Sequence, residues 1–419
     1  MEKYDLIVVG GGLTGVAAAV SAAREGASVL LVEASGCLGG AISVNLVYPF
    51  MRYWTKDPET EQIRRLADGI FTEMRQRQEK YIPPLNNTRF NPDSFMLVLD
   101  EMCVEAGVQV LFHATLCGAN VEGRQIKSIL LATKAGLMEA SAASYIDATG
   151  DGDLMAFAGC DFQLGREADG LCQPMTTIFR MSNVDVEGYK ADRPRIQALY
   201  KQLKAEGKIQ NPREDILVFF GLGEGIVHFN TTRVVKLDPT DPFDVSRAEM
   251  EGRRQIFEMY TFLKENCPAF KDAAICSTAV SIGVRESRKL KGEHILTADE
   301  LKNCTRFPDS IALGNYDIDI HNPEGAGTSH YYFPDGEYYT IPYRCLIPKE
   351  ATNLLVAGRC ISSDHGAQAS YRIMPNVCTL GEAAGSAMGL AVKEGKQVRD
   401  IDVRALQAEL KKNGAFIGI

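Results

Sequence analysis

The sequence predicts an α/β protein of two domains, and three observations lead there. A short apolar, β-branched run, Asp5-Leu6-Ile7-Val8-Val9, passes straight into Gly10-Gly11-Gly12-Leu13-Thr14-Gly15 and a helix of small residues. A similar run near the far end, Asn353-Leu354-Leu355-Val356-Ala357-Gly358-Arg359, stops at a glycine and precedes another small-residue helix. The 419 residues exceed what one compact core usually fills, so a second unit is expected between these ends.

The first run reads as a strand buried on both faces, because it is continuously apolar rather than alternating. Its glycines give the G-x-G-x-x-G pattern at Gly10, Gly12 and Gly15. Gly10 suits the tight turn, Gly12 the approach of backbone to a pyrophosphate, and Gly15 close packing of helix on strand. The helix, Val16 to Arg24, ends at Gly26, and its amino end offers free amides to phosphates. A second strand, Ser28 to Val32, delivers Glu33 and Ala34. An acid there hydrogen-bonds ribose hydroxyls and repels a 2′-phosphate. A Rossmann-type, dinucleotide-binding unit is therefore expected.

Leu38-Gly39-Gly40 follows the acid, a glycine pair that lets backbone lie against a flat or phosphorylated ligand. Three strand-like runs come later, Val108 to Leu116, Ile126 to Thr133 and Leu137 to Glu139, with turns at Glu122-Gly123 and Ala135-Gly136. They read as a β-meander. Another strand, Ala143 to Ala148, ends in Ala148-Thr149-Gly150-Asp151. The last helix, from about Asn376 to Lys393, carries Gly381, Gly385 and Gly389 at i, i+4 spacing. That smooth face suits close approach to a sheet or a cofactor.

Between Cys160 and Tyr339 one glycine cluster, Gly221 to Gly225, lies between the strand-like runs Ile216 to Phe220 and Ile226 to Val235. It reads as a hairpin turn, so no second nucleotide unit is expected. Arg195 to Glu206 reads as a helix, and Ser246-Arg247-Ala248-Glu249 as a capping box opening another that runs to about Asn266. An α+β cap at 161–339 is expected over a discontinuous nucleotide-binding half, 1–160 plus 340–419.

A formal charge of −9 argues against nucleic acid or an anionic membrane as partner. The eleven cysteines form no Cys-x-x-Cys pair, which leaves no zinc-ribbon or iron–sulfur spacing; no metal is expected. Reduced, mostly buried thiols fit a cytoplasmic protein, as does the lack of a signal peptide or of an apolar run of spanning length.

The order of elements resembles the glutathione-reductase-like class of FAD proteins. Within it the chain resembles the broad FAD-dependent oxidoreductase family related to the fumarate reductase and succinate dehydrogenase flavoproteins. The stretches that carry the likeness include Phe229 to Arg233, Ala248 to Arg253, Gly283 to Arg288, Asp317 to His321, and Gly358 to Arg372. The resemblance implies FAD as cofactor and an FAD/NAD(P)-binding fold. It places phosphates at Gly10, Gly12, Leu13, Thr14 and Gly15, ribose at Glu33 and Ala34, and adenine near Thr115 and Leu116. More of the cofactor falls at Gly39, Ala148, Thr149 and Gly150, with the isoalloxazine near Gly40, Ala41 and Ile42. The amino end of the last helix, with Asn376 and Gly381, falls near the flavin pyrimidine. Gly358-Arg359 stands where many such proteins carry Gly-Asp.

Chemistry above a flavin needs polar groups. Arginines bind carboxylates by paired hydrogen bonds and stabilise reduced, anionic flavin; histidine is the usual proton carrier. The candidates are His365, Arg372, His321 and Arg285, with Arg233, Arg288, Arg344, His330 and Tyr371 behind them. His365 and Arg372 rank first because they lie between the flavin-facing strand and helix. The expected function is hydride transfer between a small polar organic substrate and flavin N5, as dehydrogenation or double-bond reduction. A flavin-dependent RNA-modifying protein and a flavin-free binding protein of the same fold are the alternatives. Substrate, electron acceptor and oligomeric state stay open.

Overall fold

The computed structural model describes residues 4–83 and 86–419. Strand β1 (Tyr4–Val9) hands directly to helix α1 (Leu13–Arg24), and β2 (Val29–Val32) lies parallel to β1. Both strands are covered on two faces, which their unbroken apolar runs require. The chain then leaves the sheet for a hairpin, β3 (Trp54–Lys56) and β4 (Ile63–Arg65), and two helices, α2 (Ile70–Glu79) and α3 (Pro92–Ala106). The Asn91 side chain caps α3, with Pro92 in the first turn where no amide is needed.

Strand β5 (Gln109–Leu111) rejoins β2, and β6 (Thr115–Glu122), β7 (Gln125–Thr133) and β8 (Gly136–Ala140) form the antiparallel meander. The run Val108 to Leu116, expected as one meander strand, is thus split between two sheets. The break falls at His113, whose φ of 53° no strand can continue through. Strand β9 (Ala142–Asp147) returns to the free side of β1.

Helix α4 (Asp153–Phe157) and strand β10 (Phe162–Leu164) lead out of this unit. The cap is built from β11 (Phe179–Ser182), α5 (Val186–Ala205), β12 (Val218–Phe220), β13 (Val227–Phe229), α6 (Pro242–Asn266) and β14 (Ala274–Thr278). Its four-stranded sheet has the order β12-β13-β11-β14 and, with the two helices, encloses its own core of Phe179, Tyr189, Tyr200, Phe229, Phe262 and Phe270. The glycine cluster at 221–225 joins the antiparallel pair β12 and β13, as a hairpin turn should. Both helices begin earlier than expected. Asp185 caps α5, and Asp241 caps α6, whereas Ser246 bonds the Pro242 carbonyl inside the first turn.

Strand β15 (Arg288–Leu290) pairs with β10. After α7 (Ala298–Lys302) come β16 (Ser310–Gly314), the hairpin β17 (Ile318–His321) and β18 (Thr328–Tyr331), and β19 (Tyr339–Pro342). Strand β20 (Leu354–Val356), α8 (His365–Tyr371), α9 (Met374–Glu394) and α10 (Val403–Lys412) complete the fold. The five-stranded parallel sheet has the order β20-β9-β1-β2-β5. Leu296, Phe307, Ile311, Tyr339 and Ile347 share the hydrophobic core of this unit. A boundary at 339 therefore cuts through one core; the separate core spans Phe179 to Ala273.

Helix α9 lies along α1. A Cβ at Gly381 or Gly385 would overlap the carbonyl oxygen of Thr14 or Ala18, so these glycines serve helix-on-helix contact. Gly381, expected at the cofactor, has this packing role. Among the described residues, no helix is long and apolar enough to cross a membrane. All eleven cysteines are free, seven of them buried.

Candidate active site

The glycine turn is built for an anion. Gly10 takes φ 103°, open to glycine, and its amide bonds the Val32 carbonyl at 2.8 Å. Gly12 caps α1 without any side-chain hydrogen bond, and no acid stands in that helix's first turn. A Cβ at Gly12 would meet nothing within 4 Å, whereas one at Gly15 would overlap the Gly10 carbonyl oxygen. Uncapped amides, a positive dipole end and open approach are the chemistry that holds a pyrophosphate, so the residues fit a dinucleotide. Leu13 and Thr14 open the helix, with the Thr14 hydroxyl donating to the Val377 carbonyl at 3.0 Å.

Glu33 ends β2 with one carboxylate oxygen accepting from the Gly11 amide at 2.6 Å and the other from Ser35 at 2.7 Å. Ala34 beside it is exposed, and the Ala114 amide bonds the Glu33 carbonyl at 3.1 Å. That bond brings Thr115 and Leu116 to the same end of the sheet. Gly39 bonds the Gly11 carbonyl, Gly40 lies over Gly12, and Ile42 turns wholly into the core. Ala148 bonds Val9, and Thr149 donates its hydroxyl to Asp147 at 2.7 Å. Burial pushes the Asp147 carboxyl up to about 6, against the hydrogen bonds from Met155 and Thr149. Asn376 is fully buried beside Gly314, and among the described residues neither polar atom of its side chain has a hydrogen-bond partner.

A cavity of about 510 Å3 lies where Ala41, Ile373 and Met374 of the first unit face the cap. Arg359, Arg285, Arg372 and His321 line it, together with Arg213, Glu214, Asn230 and Tyr316. The hairpin β17–β18 adds Asp319, Thr328 and His330. Strand alternation puts Asp319 and His321 on one face, a signal present in the sequence but not used there. Arg213 and Glu214 gave no motif.

The cavity is crowded with cations, most of them paired. Arg213 meets Asp215 at 2.9 Å, Arg233 meets Glu214 at 3.1 Å, and Arg372 lies 3.7 Å from Asp319. Arg285 differs. Its guanidinium donates to the Pro174 carbonyl at 2.6 Å, to Thr176 and to Asn230, all neutral, and forms no ion pair among the described residues. Burial and then the charges of Arg372, Arg213 and Arg233 push it well down. Burial alone would raise Asp319, but His321, Arg372 and Tyr316 outweigh it and hold the carboxyl below the usual range.

His321 is placed differently from a free base. Burial, then Arg285, pushes it down to about 3, so it is neutral. Arg233 donates to its Nδ1 at 3.1 Å, while Nε2 faces Asp319 at 3.4 Å, which occupies both nitrogens. His330 has its Nδ1 held by Asp317. Its ring stacks on Tyr332 at 5.4 Å. Asp317, Asp319 and His330 come within 4.8 Å of one another, but the His330–Asp317 bond and the Tyr316–Asp319 bond already account for the cluster.

His365 is the correction to the expected site. It begins α8 but does not line the cavity. Its Nδ1 bonds Glu286 at 2.9 Å, and Glu286 also takes Lys289 at 2.6 Å and the Gln173 amide at 3.0 Å. Glu286 and Lys289 are fully buried, so the imidazole completes a structural ion cluster. Of the other candidates, Arg288 pairs with Asp153, Arg344 with Asp309, and the Tyr371 hydroxyl meets Ser363.

The sequence matches the family described as FAD dependent oxidoreductase over residues 5–410. No curated protein matches it. Among solved structures, the chain is similar to a geranylgeranyl bacteriochlorophyll reductase-like protein from Thermoplasma acidophilum, with 14% identity and a TM-score of 0.49 over 98% of this chain and 84% of that one. It is also similar to L-proline dehydrogenase from P. horikoshii, with 12% identity and a TM-score of 0.45 over 99% of each chain. For p-nitrophenol 4-monooxygenase from Pseudomonas putida, identity is 12% and the TM-score 0.47, over 100% of this chain and 87% of that one.

Proposed function

Because this chain belongs to the FAD dependent oxidoreductase family, we propose that it moves hydride between a small anionic organic substrate and flavin N5. The observation that carries the substrate's charge is Arg285, the cavity guanidinium without an acidic partner among the described residues. A half-buried cation in a cluster of like charges is stabilised by an incoming anion, and a carboxylate matches its planar fork. Arg372 faces the same space, with an Nε that has no partner, and orients the second oxygen or a neighbouring polar group.

The glycine turn, α1 and Glu33 hold the cofactor. When bound, FAD supplies the hydride acceptor or donor. His330 moves the proton: it lines the cavity, and the carboxylate of Asp317 at its Nδ1 favours the tautomer whose Nε2 accepts. His321 instead ties Arg233 to Asp319 and so positions the arginine wall. Ile178, Leu217, Phe219 and Met374 cover the apolar part of the substrate and exclude water.

The test is anaerobic bleaching of the flavin band by a panel of small hydroxy, amino and saturated acids, each beside its amide or ester. Reoxidation of chemically reduced protein by unsaturated acids tests the opposite direction. Anions that react where their neutral analogues do not support the reading. Equal reaction of both sets removes the role given to Arg285.

A further inference from the structure

Arg359 sits in the same cavity but on the cofactor side of it. It follows β20 and Gly358, and Gly358 rests against Thr14 of α1. Its guanidinium covers Gly150, where a Cβ would press on it, and pairs with Asp151 at 2.7 Å. The pairing is incomplete. Asp151 also accepts from the Ser287 hydroxyl at 2.6 Å, and the Arg359 Nε is buried with no hydrogen-bond partner. One N–H of a charged group is thus left orphaned, which is costly unless a ligand takes it.

The place of that ligand follows from what lines the cavity. Gly10 and Gly12, the pyrophosphate cradle, do not line it, whereas Ala41, Ile373, Met374 and the cap's polar groups do. A reacting ring must face the substrate groups, so the ring end of the dinucleotide shares the cavity with Arg359.

We propose that Arg359 is a potential-setting cation for the bound flavin, with Asp151 as its counterweight. Reduction brings two electrons and one proton, as a hydride from a substrate C–H, onto the ring; the N5–H bond forms and one negative charge remains in the ring system. A fixed cation close by stabilises that charge in the reduced state more than in the oxidised state, and so raises the midpoint potential. The carboxylate of Asp151 tempers the same field. This inference rests on the family's cofactor and not on the identity of the substrate.

The experiment is a spectroscopic redox titration of the purified holoprotein against reference dyes, with FAD affinity measured in parallel. Arg359→Gln is expected to lower the potential by about 30 mV or more, a tenfold change in the reduced-to-oxidised ratio for a two-electron couple. Arg359→Lys is expected to stay near the parent, and Asp151→Asn to rise. Opposite shifts in Arg359→Gln and Asp151→Asn support the proposal. An unchanged potential in Arg359→Gln with weaker FAD binding overturns it, because the arginine then serves the pyrophosphate alone. If Arg359→Gln does not retain FAD, Asp151→Asn decides: a rise supports the proposal, and no change or a fall overturns it.

Discussion

Gly381 on α9 meets Thr14 on α1 backbone to backbone, with the position of a Cβ already taken by the Thr14 carbonyl oxygen. The contact sits one residue from Leu13, the first residue of α1, beside the uncapped amides proposed to receive the dinucleotide. The α9–α1 packing contact and the proposed cofactor cradle therefore share residues at this point.

Gly381→Ala is expected to push the two helices apart at the cradle. Overpacking of this kind costs about 1–3 kcal/mol. The purified variant should unfold at lower temperature and lose flavin on gel filtration, both measurable by absorbance. A variant with parent stability and full flavin content would mean that α9 can shift freely along α1.

Removing the unpaired cavity cation should act on substrate binding. Arg285→Met is expected to keep FAD and raise KM for an anionic substrate at least tenfold, the loss of roughly 1.5–3 kcal/mol typical of a charged hydrogen bond. Steady-state kinetics with the substrate found by flavin bleaching check this. An unchanged KM would take Arg285 out of substrate recognition.

The two cavity histidines are expected to separate by kinetic signature. His330→Gln should lower kcat by roughly a hundred- to ten-thousandfold with little change in KM, as loss of a general base does. His321→Asn should affect KM more than kcat, since both its nitrogens hold neighbours. The reverse pattern would return the proton role to His321.

His365→Gln should leave turnover close to the parent and lower the melting temperature. It removes the His365 hydrogen bond to Glu286, which keeps its buried pairing with Lys289. The loss of one charged hydrogen bond there costs about 1–3 kcal/mol. A large drop in kcat at unchanged stability would restore the catalytic role first expected for this residue.

Glu382, buried in α9, accepts from the Ile70 amide at 3.1 Å, and burial pushes its carboxyl up to about 8. The folded state therefore holds this proton more tightly than the unfolded chain does. Stability is greatest with the proton on and is lost as pH rises from the ordinary carboxylate range through about 8. Glu382→Gln keeps the acceptor and removes the titration. It is expected to match the parent near pH 4 and exceed it above pH 8 by on the order of 2–5 kcal/mol. Urea unfolding across that range reads the difference directly.

The sheet, the glycine turn, the meander and the returning helix were legible because each depends on local patterns: continuous apolar runs, glycine spacing and turn residues. Helix starts at Asp185 and Asp241 were missed, since single acidic caps stand out less than a capping box. The strand–turn–helix expected at the cofactor was readable as local structure, because it is one contiguous segment. The cap side was not. Whether an arginine is paired depends on residues far away in sequence, so Arg213 and Arg285 could not be told apart before Asp215 and Pro174 were placed. His365 misled for the same reason. Proximity to Arg372 in sequence suggested a shared role, but the two stand about two helical turns apart along α8, and His365 meets Glu286 while Arg372 lies near Asp319.

The parallel sheet is finished by β20 and α9, residues 354–394, while its other strands end by Asp147. During synthesis the ribosome thus releases the phosphate-binding turn well before the strand that borders β9 and the helix that covers α1. At ordinary elongation rates that interval lasts some tens of seconds. Over that time the small-residue face of α1 and the edge of β9 lack the partners that cover them in the finished fold. The sheet and helix layer around the glycine turn is consequently complete only once residues 354–394 have emerged.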